Sequence, residues 1–169
     1  YYVTDEAQTK ELSYKVEYYK DGTLIDTNVE KTVVQLLESN VMSVDKAKIN
    51  TRDKYDGYYF AGTEPAVVPD TINSGDTIKV NYTIRKDLSY RVEYYFNGVI
   101  DNALTETINN QTYNVEISTY TDKVKTGYKY ESNSGPITIG TGENVLKVYY
   151  VTDESQIKEL KYTVEYYKD

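Results

Sequence analysis

Nothing in this chain offers a strong nucleophile or a neutral-pH base, because histidine and cysteine are both absent. That removes thiol and imidazole catalysis, thiolate or imidazole zinc sites, and disulfides at one stroke. The side chains left with chemical potential are carboxylates and phenols. Acidic residues near turns, Asp53 with Asp56 and Asp70 with Asp76, offer oxygen ligands of the kind calcium takes. Neither pair has EF-hand spacing or lies in a dense acidic loop, so solvated charge is the simpler reading. No metal and no cofactor is implied, and the chain is not read as an enzyme.

Tyrosine is the larger resource: 21 Tyr stand against two Phe and no Trp. Three of them close a recurring phrase, YKVEYY at Tyr14–Tyr19, YRVEYY at Tyr90–Tyr95 and YTVEYY at Tyr162–Tyr167. Each phrase alternates with a period of two, which is a strand with one buried face. Tyr18 and Tyr94 fall on the inward side. Tyr19, Tyr95 and Tyr167 fall on the outward side, where a ring can stack on a sugar or pack in a seam against a neighbouring strand or unit.

The elements that position these residues repeat. Leu12, Leu88 and Leu160 precede the three phrases at spacings of 76 and 72 residues, and Tyr149–Asp169 matches Tyr1–Asp21 at an offset of 148 with four differences. Repetition at this period marks an array. Residues 1–12 read as the end of a preceding repeat plus a linker, 13–86 as a first unit and 87–152 as a second. Residues 153–169 read as a linker and the first strand of a following repeat. Units this small bury only ~60% of their unfolded surface, so the core must be efficient, and tyrosine supplies it.

Within each unit the first strand meets a turn dipeptide, Asp21-Gly22 or Asn97-Gly98, suited to a type I′ hairpin. Leu24–Thr32 and Val99–Ile108 should return antiparallel. Ser43–Lys54 is the preferred helix, capped by Ser43 with Val44, Ala47 and Ile49 inward; Glu30–Glu38 competes for that role. Gly-Tyr strands follow at Gly57–Ala61 and Gly127–Glu131, then Pro65 or Pro136 and short apolar strands at Ala66–Val68 and Ile137–Ile139. Closing strands occupy Thr77–Ile84 and Val145–Val151, with Ile78, Val80, Tyr82 and Leu146, Val148, Tyr150 inward. The order gives an α+β, β-rich fold: two tandem β-grasp-like units in an elongated rod, first and last strands parallel in each. Were those strands paired, Lys15, Glu17 and Asn81 would share the parity an isopeptide bond needs; Arg91, Glu93 and Tyr149 in the second unit cannot make one.

The phrases VEYYKDG, the Gly-Tyr strand, the Pro turn and the closing VYYVTD resemble repeat modules of Gram-positive cell-wall adhesins, the MucBP-like and SHIRT-like repeats. The resemblance implies a β-grasp-like fold, arrangement in stalks, and an extracellular location with cell-wall attachment in the parent protein. It carries no defined mucin-contacting residue onto this sequence.

Formal net charge is −8 and no dense Lys/Arg cluster occurs, so nucleic acid is not an expected partner. No apolar run is long enough to insert in a membrane. The expected role is a stalk or spacer that projects a distal binding head, with adjacent repeats as partners and monomeric or weak end-to-end association. The alternative is a module that itself contacts host glycans or glycoproteins through Tyr19, Tyr95 and Tyr167.

Overall fold

The structure is a computed structural model that describes residues 3, 5 and 7–168. The chain divides into two units, Tyr1–Lys86 and Asp87–Asp169.

The first unit contains β1 (Thr9–Lys20), β2 (Thr23–Gln35), β3 (Val41–Ser43), β4 (Tyr58–Glu64), β5 (Thr71–Asn73) and β6 (Thr77–Ile84). Its main sheet runs β2-β1-β6-β4, and β3 and β5 form a separate antiparallel pair. β1 and β2 make the expected hairpin, with Asp21 at φ 45° and Gly22 at φ 81°. These are the left-handed values that a type I′ turn demands. β1 then lies parallel to β6, Lys15–Lys20 beside Thr77–Tyr82. Leu12, Tyr14, Val16 and Tyr18 face the core, joined by Ile78, Val80 and Tyr82, all nearly solvent-free.

The second unit contains β7 (Leu88–Phe96), β8 (Val99–Ile100), β9 (Glu106–Gln111), β10 (Glu116–Ile117), β11 (Tyr128–Asn133), β12 (Ile137–Thr138) and β13 (Val145–Thr152). It repeats the plan: β7 is flanked by β13 on one side and by β8 and β9 on the other, β11 closes the far side, and β10 pairs β12. The β7–β13 pair is again parallel, Arg91–Phe96 beside Val145–Tyr150. Val92, Tyr94, Phe96, Leu146, Val148 and Tyr150 form the core.

Several expectations are corrected. The helix over Ser43–Lys54 does not form: Ser43 ends β3, and a single 3₁₀ turn spans Lys46–Lys48 under an Asp45 side chain that accepts from the Ala47 amide at 3.1 Å. Ile49 leaves that turn in an extended conformation and drives into the core. Glu30–Glu38 is no helix either, because its first half continues β2, whose Thr- and Val-rich run favours a pleated strand. The α+β label therefore gives way to a β fold with a coil crossover. Thr9–Glu11, expected as linker, extends β1 and pairs with Val33–Gln35. Ala66–Val68 is not a strand; it is bracketed by Pro65 and Pro69, and Thr71–Asn73 pairs with β3 instead. The return strand of the second unit breaks at Asp101, whose carboxylate accepts from the Ala103 amide at 3.2 Å and turns the chain locally.

The third phrase forms no strand: residues 157–168 are exposed, and no other strand pairs with them. Tyr1–Thr4 lies outside the described residues except for Val3, which is exposed and in no strand. Among the described residues no helix is long and apolar enough to cross a membrane.

Tyrosine dominates the core for a physical reason. A coil crossover leaves backbone groups without ladder partners, and buried ones must find others. Tyrosine hydroxyls rising from the sheet meet that need. In the first unit Tyr14 accepts from the Asp45 amide and Tyr18 from the Asn50 amide, both at 3.4 Å, while Tyr82 donates to the Asn50 carbonyl at 3.0 Å. In the second, Tyr94 donates to the Thr121 carbonyl at 2.6 Å, and Tyr150 accepts from the Lys123 amide at 3.0 Å while donating to Asp122. Crossover lysines add surface ties, Lys48 to Glu30 at 2.6 Å and Lys123 to Glu106 at 2.5 Å. Phenylalanine would fill the same volume and leave the coil unfastened.

Candidate functional site: the outward tyrosine faces

The outward face of each main sheet is built from the alternate residues of the two central strands. On β1 these include Lys15, Glu17 and Tyr19; on β7, Arg91, Glu93 and Tyr95. Within each phrase the outward Glu and Tyr lie two positions apart on the same face, and they bond. Tyr19 Oη donates to Glu17 Oε2 at 2.6 Å and Tyr95 Oη to Glu93 Oε2 at 2.8 Å. Tyr167 bonds Glu165 in the same way, although no sheet forms there. The hydrogen bond to the neighbouring carboxylate, with a smaller contribution from desolvation, raises the Tyr19 and Tyr95 phenols above their ordinary range. Both remain neutral hydrogen-bonding groups at physiological pH.

The two faces then diverge. Beside Tyr19 the parallel strand presents Asn81, and Lys79 reaches over the ring at 6.0 Å while pairing with Glu64 at 3.1 Å. Beside Tyr95 the equivalent position is Tyr149, and the rings lie 5.3 Å apart at 33°. Lys147 sits 5.8 Å over the Tyr95 ring. Arg91 holds Glu93 at 3.0 Å and Glu143 at 2.5 Å. Glu93 is the one buried charged residue among those described, at 8% exposure. Burial pushes its carboxyl upward, but hydrogen bonds from Tyr95 and Arg91 and the guanidinium charge outweigh that and hold it below its usual value.

The three sequence-selected tyrosines therefore occupy three different settings. Tyr19 is half-buried beside one lysine, Tyr95 is half-buried in a two-ring platform with charged neighbours, and Tyr167 stands 87% exposed. Sequence reasoning did not pick out Tyr149 as an aromatic partner. The signal was present in the parity of the closing strand, where Tyr150 inward forces Tyr149 outward.

Lys15 lies opposite Thr77 and Asn81 opposite Tyr19, so the register separates the lysine and amide that an isopeptide bond would join. The turn carboxylates serve the scaffold: Asp53 accepts from the Phe60 amide at 2.7 Å, Asp70 pairs with Lys46 at 2.7 Å, and Asp76 accepts from Asn73 at 3.3 Å. Among the described residues no group of three or more acidic side chains is placed to hold a metal ion.

No protein-family model matches the chain, and no curated protein matches it. Solved structures do. The chain is similar to tandem repeats. One match is "Streptococcal High Identity Repeats in Tandem (SHIRT) domains 3-4 from cell surface protein", at 10% identity, with 84% of this chain and 98% of that chain covered and a TM-score of 0.33. Another is Mub-RV, at 13% identity, with 84% and 99% covered and a TM-score of 0.27. The resemblance read from the motifs is met again among the solved structures to which this chain is similar.

Proposed function

We propose that the chain is a pair of tandem, β-grasp-like spacer repeats, units 13–86 and 87–152, flanked by 1–12 and 153–169, in the stalk of a bacterial cell-surface adhesin. In this reading the parent protein is extracellular and wall-attached, the units stand in series with adjacent repeats, and they bear load without catalysing a reaction. The observation that carries it is the parallel pairing of first and last strands in each unit. A chain pulled through such a unit enters on one central strand and leaves on its neighbour at the opposite end. Tension therefore shears the rungs between Lys15–Lys20 and Thr77–Tyr82, or between Arg91–Phe96 and Val145–Tyr150, all together. Under force the relevant quantity is the unfolding rate, and a sheared ladder must lose many bonds before the chain yields. Single-molecule pulling on the two-unit chain should give two discrete, high-force unfolding events. Yielding at the low force of a hairpin opened rung by rung would sink the load-bearing reading.

The Tyr95–Tyr149 platform, ringed by Glu93, Arg91 and Lys147, favours a second reading, in which the second unit itself holds a glycan against paired rings. A glycan array probed with the wild type and Tyr95→Ala separates the two. Binding that vanishes in the variant assigns a ligand role; no binding in either leaves the spacer role alone.

A further inference from the structure

The parallel ladder of the second unit sets two phenols side by side on its outward face. Tyr95 pairs with Tyr149 directly across β7 and β13, and their rings lie 5.3 Å apart with planes tilted by only 33°. Both side chains are half-buried, so each stays within reach of a dissolved oxidant. The other tyrosine pairs in ring contact among the described residues, Tyr55 with Tyr82 and Tyr130 with Tyr150, meet edge to face, and each has one ring almost wholly buried. The first unit sets no second ring beside Tyr19 across its parallel pair, because the register places Asn81 there.

Tyr95 also has what a tyrosine needs to give up an electron readily. A phenol that loses an electron becomes a strong acid, so oxidation is fast where a base already holds the proton. Tyr95 Oη donates to Glu93 Oε2 at 2.8 Å, within the reach that proton transfer requires. Arg91 pairs with the other oxygen of Glu93 at 3.0 Å and keeps the carboxylate charged. Tyr19 has the same device in Glu17, at 2.6 Å, but no ring beside it to couple with.

We propose that Tyr95 and Tyr149 are a modification site, at which hydrogen peroxide and a haem peroxidase join the two rings as dityrosine. Each phenol gives up one electron and one proton, the Tyr95 proton passing to Glu93. The two radicals couple between ring carbons ortho to the hydroxyls. The hydrogens on those carbons then move to the oxygens, which restores both phenols. One peroxide takes up the two electrons and two protons and leaves as two waters. The new bond bolts β7 to β13, the pair through which the proposed stalk carries tension. Chain between the bonded residues can no longer extend, so an oxidised second unit yields little length even after its rungs shear. A cross-link also restricts the unfolded chain, so the second unit's melting point should rise. The mechanical use rests on the spacer reading, but formation of the bond does not. Pulling on the unoxidised chain tests the one, and peptide mapping tests the other.

Treating the dilute full chain with peroxide and a haem peroxidase, then mapping linked peptides by mass spectrometry, tests the site. The wild type should give a bond between Tyr95 and Tyr149 whose yield does not depend on protein concentration. Bonds between molecules through the exposed Tyr166 and Tyr167 should instead grow with concentration. Tyr149→Phe should lose the bond, and Asn81→Tyr, which places a second phenol beside Tyr19, should gain one in the first unit. Glu93→Gln should form the bond several-fold more slowly. Circular dichroism confirms that each variant is folded before it is oxidised. The proposal is overturned if the wild type yields only linked molecules or bonds at other tyrosines. It is overturned equally if Tyr149→Phe forms as much dityrosine within the second unit, or if Asn81→Tyr adds none in the first. A Glu93→Gln rate equal to that of the wild type overturns the role given to the carboxylate.

Discussion

Replacing Tyr94 by Phe deletes a single oxygen from the second unit's core. That oxygen donates to the Thr121 carbonyl at 2.6 Å and approaches Glu106 at 3.5 Å, and the ring it sits on is 0% exposed. The ring still fills its site, so no cavity forms. What changes is that the Thr121 carbonyl loses its protein partner; Thr121 itself is exposed, so water can take the hydroxyl's place. A net hydrogen bond contributes ~1 kcal/mol, so a loss of ~1 kcal/mol is expected. For a unit of this size each kcal/mol lowers the midpoint by about 4–8 °C. Thermal melts of the full chain should therefore show the second unit's transition falling by roughly 4–8 °C, with the other unit unmoved. Amide hydrogen exchange should quicken first in residues 118–126, the coil that Tyr94 and Tyr150 hold. The control is Tyr95→Phe, which removes an outward hydroxyl from Glu93 while Arg91 still holds that carboxylate. If Tyr94→Phe melted like the wild type, or no lower than Tyr95→Phe, hydroxyl fastening of the crossover would be wrong.

Two further outcomes follow from the same core. Truncating Tyr18 to Ala should cost about 3–5 kcal/mol, the usual range for a buried aromatic, whereas the half-buried Tyr19→Ala should cost much less; urea denaturation with the order reversed would contradict the face assignment. Stability should also fall in alkali. Burial first, then neighbouring phenols and Asp53 for Tyr82, and Asp122 for Tyr150, push both phenols up to about 12 from an ordinary 10.0, and Tyr94 and Tyr14 are raised as well. The folded state thus holds these protons more tightly than the unfolded one. Their contribution, at most ~2–3 kcal/mol each for Tyr82 and Tyr150, is complete below pH 10 and is lost as pH climbs through 12. Stability at pH 11 equal to that at pH 8 would refute it.

How much was legible in the sequence depended on whether a local signal had a tertiary rival. Asp21-Gly22 and Asn97-Gly98 require positive φ and have no competing use, so both hairpins appear where expected. The closing strands carry strict alternation into a dry core, and their inward residues were read correctly. Ser43–Lys54 failed because its helical cues were weak and its backbone had stronger suitors: Tyr14, Tyr18 and Tyr82 claim Asp45 and Asn50 from across the sheet. No pattern within that stretch reveals partners some thirty residues away. The same limit hid the Tyr95–Tyr149 platform, which exists only because the parallel register sets those two residues side by side. Tyr19, with the same phrase around it, faces Asn81 and gains no second ring.

The way the crossover is fastened bears on how such repeats can diverge. Most of the tyrosine hydroxyls grip main-chain amides and carbonyls of Asp45, Asn50, Thr121 and Lys123, and every amino acid except proline offers both. The coil between the fastening points is therefore released from much of the constraint on its own side chains, while the tyrosines beneath it are not. Copies of the unit can accumulate substitutions at the exposed positions of residues 36–57 or 112–127, outside β3, β10 and the buried Met42 and Ile49, without altering the main sheet that carries them. Variation among units should concentrate in that stretch, leaving the VEYY phrases as the part that recombination finds nearly the same in every copy.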